Sequence, residues 1–196
     1  MTNTTPTPWG YSTVAELPAL MSVSDFKVYT GSIMSSSDEQ IAATLDAVSA
    51  AVRNYCRWHV APSAECVWTG DADGKLVQLP AMNVTSVHSV TVNGDTLETG
   101  EYAWRKSGLI RLAQPVYDDW GQRVSVDYDA GVDSDTIASV VAQLATNALV
   151  APAGVMREQA GDVAITYNQT AVGVSGGIRL LSSDKALLDP FKLPSC

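Results

Sequence analysis

Residues 77–104 read VQLPAMNVTSVHSVTVNGDTLETGEYAW. Apolar and polar side chains alternate along this stretch, and it turns at Asn93-Gly94, a pair suited to the positive φ angles of a two-residue hairpin loop. It reads as a β-ribbon. Val84, Ser86, His88, Val90 and Val92 are expected on one, better buried face, with Thr85, Val87, Ser89 and Thr91 on the other. The same period of two marks further strands over residues 66–69, 76–79, 102–104, 109–112 and 124–128. Gly-Asp, Asn-Gly and Ser-Gly pairs separate them. Residues 64–131 are therefore predicted to form a small antiparallel β-module.

Helical periods flank it. Ser37 with Gln40 three residues later is a capping-box pattern, and Asp38 and Glu39 complement the positive end of a helix dipole. Ile41, Leu45, Val48, Val52 and Tyr55 then recur on one helical face, which predicts a helix to about residue 57 or 58, ending before Pro62. Shorter helical pieces are expected over residues 13–21 and 24–30, so residues 13–63 form an N-terminal helical part. Behind the module, Asp133-Ser134-Asp135 caps a second helix running to residues 148–150, within a segment 132–155. Ile137, Val140, Val141 and Leu144 form its apolar stripe. Ala138, Ala142 and Ala145, closed by Leu149, form a second ridge of small side chains that allows close approach; its cover is expected to be a neighbouring subunit.

The ends differ from the middle. Residues 1–12 form a Thr/Pro-rich arm, expected to be mobile. Residues 156–196 hold an isolated strand at 162–167, a glycine hinge at 173–177 and a short helix at 183–191, with too little core of their own and a partner as the expected cover. The fold class expected is α+β: a helical bundle core, an inserted antiparallel β-module, and a C-terminal extension of strand, hinge and short helix.

Charge and composition narrow the function. An apolar share of 46% suits a globular chain. Twenty-one acids against twelve bases give a net charge of −9, which argues against tight phosphate binding. A polyanion can still pass an acidic wall without sticking to it. Cys56, Cys66 and Cys196 are too few for a disulfide framework and read as reduced thiols. The N-terminus lacks the basic start and apolar run of a signal peptide. Residues 136–156 carry no charge, but Gln143, Asn147, Pro152 and many alanines make them a buried helix rather than a membrane span.

No constellation calls for chemistry. Cys56, His59 and Cys66, with His88 as a fourth ligand, match no zinc spacing. Asp127, Asp129, Asp133 and Asp135 lack the central glycine and terminal Glu of a calcium loop. No Ser or Cys stands in a nucleophile-elbow context, no glycine-rich phosphate loop follows a strand, and Glu98 with Glu101 is an ordinary pair in an acidic chain. Neither an enzyme nor a cofactor is expected. Trp9, Trp58, Trp68, Trp104 and Trp120 read as core or interface anchors.

The order of segments carries a resemblance. DEQIAATLDAVSAAVRNYCRWHV leads into the quoted ribbon, then GLIRL, VSVDYDAGV and the alanine-rich helix. Leu79-Pro80 followed by Val84, Val87, Val90, Val92 and Gly94, and later Val124, Val126, Tyr128, Ala130 and Gly131, match recurring runs of one family. Glu158, Gly161-Asp162, Tyr167, Gly176-Gly177 and residues 185–191 answer in order to its usual ending. Over residues 35–193 the chain resembles the head–tail connector, or adaptor, proteins of long-tailed bacteriophages and gene-transfer particles.

The resemblance implies a structural virion protein of the neck, assembled in the host cytoplasm. A homo-oligomeric ring of about twelve copies is implied beneath the portal protein, handing the DNA channel to a stopper or tail protein. Genomic double-stranded DNA would pass without specific binding, and no membrane is involved. Tyr167, Arg179, Lys185, Leu187, Leu188 and Phe191 are the portal-docking candidates. Ala138, Ala142, Ala145 and Leu149 are the subunit-interface candidates, and Asp129 and Asp133 are the channel-lining candidates. The alternatives are another neck component, such as a stopper or tail-completion protein, or a monomeric carbohydrate- or peptide-binding module.

Overall fold

The computed structural model describes residues 4–31, 36–116, 124–150, 157–160, 163–166 and 178–194. In chain order its elements are β1 (Thr5–Pro6), β2 (Tyr11–Thr13), α1 (Val23–Tyr29), α2 (Asp38–Cys56), β3 (Ala64–Gly70), β4 (Gly74–Gln78), β5 (Val84–Val92) and β6 (Asp95–Thr96). There follow β7 (Tyr102–Trp104), β8 (Leu109–Val116), β9 (Val124–Ala130), α3 (Asp135–Val150), β10 (Arg157–Ala160), β11 (Val163–Thr166) and α4 (Ser182–Leu188), with a 3₁₀ turn at Asp189–Phe191. The fold is α+β. Two compact units share the chain: Met1–Leu17, Arg57–Asp133 and Phe191–Cys196 make a β-unit, and Pro18–Cys56 with Ser134–Pro190 make a helical one.

In the β-unit an antiparallel six-stranded sheet runs β1-β2-β3-β9-β5-β6, and a three-stranded one runs β4-β8-β7. Asn93 and Gly94 both take positive φ, 55° and 94°, as the two-residue loop between paired Val92 and Asp95 requires.

Strand β5 corrects the expected alternation. Its register against β9 slips between Val84 and Ser86 and again between Val87 and Ser89, so Thr85 and His88 are bulged residues. Val84, Val87, Val90 and Val92 therefore stand opposite Ala130, Tyr128, Val126 and Val124, on one face. Ser86, Ser89 and Thr91 stand opposite Asp129, Asp127 and Ser125, on the other. His88, expected on the buried face, is exposed. The inward face is tightly buried: Cys66, Val84, Val90, Val124, Val126, Tyr128 and Ala130 are all fully covered. From the second sheet Val77, Ile110 and Leu112 are buried as well. Each such aliphatic side chain contributes about 1.5–3 kcal/mol by leaving water.

The N-terminal arm is not a free tail from Thr4 onward. Tyr11 and Thr13 pair with Trp68 and Cys66 of β3, and Tyr11 is 4% exposed. A buried hydroxyl explains the anchoring. The Tyr11 hydroxyl lies 2.7 Å from His59 Nδ1 and accepts from the His59 backbone N–H at 2.9 Å, while His59 Nε2 lies 2.7 Å from the Ala130 carbonyl. A carbonyl can only accept, so Nε2 carries the proton, and Nδ1 accepts from Tyr11.

Gly131 follows β9 at φ 153°, and a Cβ there would come within 2.3 Å of Ser63 Cα and 2.6 Å of the Pro62 carbonyl oxygen. Only glycine fits.

In the helical unit Ser22 caps α1, its Oγ accepting from the Asp25 N–H at 3.1 Å. The helical piece expected over residues 13–21 does not form. Residues 11–13 are taken by β2, and beyond them Leu20 N–H donates to Ser49 Oγ at 2.8 Å while the Pro18 carbonyl accepts from Arg53 Nη2 at 2.6 Å. Those bonds to α2 replace the intrahelical ones. The capping box of α2 is present, with Gln40 N–H to Ser37 Oγ at 3.3 Å and Ser37 N–H to Gln40 Oε1 at 3.2 Å. Helices α2, α3 and α4 pack on one another. The strand expected alone at 162–167 is paired where described: β11 lies antiparallel to β10, Arg157 opposite Thr166. The expected glycine hinge at 173–177 lies outside the described residues.

Candidate assembly surfaces

The alanine ridge of α3 was expected to await a second subunit. Ala142 and Ala145 are instead completely buried within this chain, so their close approach is made to its own elements. Helices α2 and α4 supply packing partners for α3. Ala138 and Leu149, half-buried, are the members of the ridge that still reach solvent.

The docking candidates on α4 separate by helical phase. Leu188 is fully buried and cannot serve as an external anchor, whereas its neighbour Leu187 is 47% exposed. Arg179 and Lys185 are exposed, and the Lys185 ammonium lies 6.0 Å from the centre of the Tyr55 ring. The Tyr55 hydroxyl donates to Asp189 at 2.5 Å, and this hydrogen bond to a carboxylate pushes its pKa up to about 12. Phe191 is half-buried, and its carbonyl accepts from Trp58 Nε1 at 2.7 Å. It is tied into the β-unit rather than projecting from it. Tyr167 lies outside the described residues.

The outward face of the six-stranded sheet holds one channel candidate. Asp129 Oδ2 accepts from Ser86 Oγ at 2.6 Å and faces His88 Nε2 at 3.0 Å. Burial pushes the Asp129 carboxyl up, but the Ser86 and His88 hydrogen bonds and the His88 charge outweigh it and hold the pKa below the ordinary value. Asp127 Oδ2 accepts from Ser89 Oγ at 2.8 Å. The other candidate, Asp133, is exposed beyond the end of β9.

Ser86, His88 and Asp129 do not make a nucleophile. Serine and histidine meet the same carboxylate oxygen, and His88 Nε2 is 3.5 Å from Ser86 Oγ, so no base is aimed at the hydroxyl. Burial pushes the Cys66 thiol up to about 12, with the nearby carboxylates of Asp129 and Glu65 adding to it, so it stays protonated and unreactive at neutral pH. Cys56 and Cys66 form no disulfide. Both His59 ring nitrogens are already engaged. Among the described residues no three His, Cys, Asp or Glu side chains gather as a metal site would require, and no helix is long and apolar enough to cross a membrane.

Two features escaped the sequence reading. Trp68, Leu79, Pro80, Met82, Leu193 and Pro194 line an apolar groove of about 600 Å³ in the β-unit. The outward face of the three-stranded sheet carries exposed Leu76, Ala103 and Arg111 in cross-strand register, with Arg105 and Lys106 exposed in the β7–β8 turn. The groove brings Leu193 and Pro194 to residues more than a hundred positions earlier, and β4 brings Leu76 to the β7–β8 hairpin that carries the three basic side chains.

Comparisons agree with this architecture. Two solved chains similar in fold are described as the neck of an empty GTA particle computed with C6 symmetry and the neck of a native GTA particle computed with C12 symmetry. The first matches with a TM-score of 0.62 at 16% identity, over 95% of this chain and 96% of that one. The second matches with a TM-score of 0.60 at 15% identity, over the same shares. No curated protein matches the sequence. The family described as head completion protein matches residues 19–151, from ahead of α1 through the β-module to the end of α3. The chain belongs to the head completion protein family.

Proposed function

We propose that this head completion protein is a structural, non-enzymatic adaptor of the virion neck. Copies form a ring between head and tail that prolongs the DNA channel and carries the next neck or tail component. The observation that carries the reading is the family match over residues 19–151, which takes in both helical segments and the β-module. The fold likeness to chains from necks computed with sixfold and twelvefold symmetry supports a ring, and twelve copies are proposed on the second of these. In this reading α2, α3 and α4 act as a bundle core, into which the β-module is inserted as ring wall.

The portal protein above and a stopper or tail protein below are the proposed partners, with DNA passing unbound. Net charge −9 supports a conduit that does not hold a polyanion. Exposed Asp133 is kept as a channel-lining candidate. Arg179, Lys185 and Leu187, exposed on or before α4, are the proposed portal-facing side chains.

Particles assembled without this chain test the reading. DNA-filled heads lacking tails are expected, and supplying the chain should restore tails and add a ring of density at the neck. Normal tailed particles in its absence would overturn it. A chain carrying Arg179→Glu, Lys185→Glu and Leu187→Ser, changed only at exposed positions, should fold yet fail to attach to such heads; attachment at the wild-type level would remove the docking role of the C-terminal segment.

A further inference from the structure

The two sheets of the β-unit each turn one face outward, and those faces carry opposite charge. On β3 and β9, Glu65 stands directly opposite Asp129, and Asp127 follows two residues along the same face. Like charges directly opposite on a sheet are destabilising. A single imidazole, His88, meets Asp129 at 3.0 Å, and among the described residues Glu65 and Asp127 have no cation within salt-bridge distance. On the other sheet Arg105, Lys106 and Arg111 are all exposed and, among the described residues, none of them meets a carboxylate. One unit thus displays an under-neutralised acidic face and an unpaired basic one.

Patches of opposite sign on different sheets let the acidic face of one copy meet the basic face of the next in a head-to-tail contact, which closes into a ring when the rotation between copies permits. We propose that the Glu65, Asp127 and Asp129 face of one copy docks on the Arg105, Lys106 and Arg111 face of the next. Leu76, 45% exposed beside Arg111, gives the contact an apolar centre within the charged rim. The inference rests on the ring reading and names the surfaces that build the ring.

Charge reversal tests it in particles whose copy of this chain is replaced by a variant. Glu65→Lys with Asp127→Lys reverses one face, and Arg105→Glu with Arg111→Glu reverses the other. Each pair should lower incorporation into the neck at least about tenfold, because like charges then face each other across the contact. All four changes together should restore incorporation, since every junction again joins opposite signs. The neutral pair Glu65→Gln with Asp127→Asn should give a smaller loss of the same sign. Circular dichroism and thermal unfolding of each purified chain separate loss of assembly from loss of fold. Unchanged incorporation of folded single-face variants would overturn the inference. So would failure of the fourfold variant to restore it, because the acidic face would then be docking a different neck protein. If the wild-type chain itself is missing from the neck, the ring reading fails first and carries the inference with it.

Discussion

Alternate residues of the same three strands build both faces of the sheet formed by β3, β9 and β5, and the two faces answer to different demands. Inward, Cys66, Val126, Tyr128 and Val90 have no contact with water. Outward, Ser86 and Ser89 donate to Asp129 and Asp127 through short hydrogen bonds, and Glu65 stands opposite Asp129, which His88 alone meets. Stability is concentrated on one side, and on the other lie carboxylates for which His88 is the one cation within salt-bridge distance among the described residues. A local rule broken on an otherwise consistent scaffold marks a surface shaped for something besides folding.

Substitutions can break that contrast in a graded way. Gly131→Ala should do most damage, because backbone at Ser63 and Pro62 blocks the new Cβ. A loss of about 3 kcal/mol is expected, read from the denaturant midpoint. Tyr11→Phe removes the acceptor of the His59 N–H and the donor to Nδ1. It should cost about 1–3 kcal/mol by the same measurement. Tyr128→Phe belongs to the same inward face yet should change stability by less than about 1 kcal/mol, because its buried hydroxyl has no hydrogen-bond partner among the described nitrogen and oxygen atoms.

Outward, the sign turns. Glu65→Gln removes half of the carboxylate pair opposite Asp129 and should stabilise the isolated chain by a few tenths of a kcal/mol, on the order of 0.3, while weakening assembly. A loss of stability there would erase the contrast. The smallest effect concerns pH. Asp129 has a folded pKa below its unfolded one. Its contribution is therefore present above the unfolded carboxylate range, about pH 4, and is lost as pH falls through the lower folded value. Thermal midpoints of the wild type and Asp129→Asn should differ near neutrality and converge in acid.

What the sequence disclosed followed the range of the interactions. Strands β3, β4, β5, β7, β8 and β9 were all legible, because period-two alternation and turn chemistry are local. So was the Ser37–Gln40 capping box. The double bulge was written in the sequence but misread: Val84, Val87 and Val90 recur every third residue, which a flat strand cannot place on one face. Strand β2 was missed because a Thr/Pro-rich segment resembles a tail until Trp68 and Cys66 are there to pair with it. The alanine ridge was expected to meet another subunit, and Ala142 and Ala145 are buried within this chain instead, because a pattern of small residues does not say which element covers it. Leu188 was misjudged for a similar reason: one helical step separates it from exposed Leu187. The acidic face needed the register of strands far apart in sequence, Glu65 against Asp129, whereas Arg105, Lys106 and Arg111 lie on one hairpin and could have been read locally.

The two bulges on β5 also bear on how the gene can vary in length. Thr85 and His88 are surplus to the ladder, since Val84, Ser86, Val87 and Ser89 already find successive partners on β9 without them. Deleting either codon would straighten the strand and leave every valine on its side. Deleting Thr91, which has a partner of its own in Ser125, would send the residues on one side of the gap through to the opposite face. Single-residue gaps should therefore be tolerated at those two positions of the strand and selected against along the rest of it.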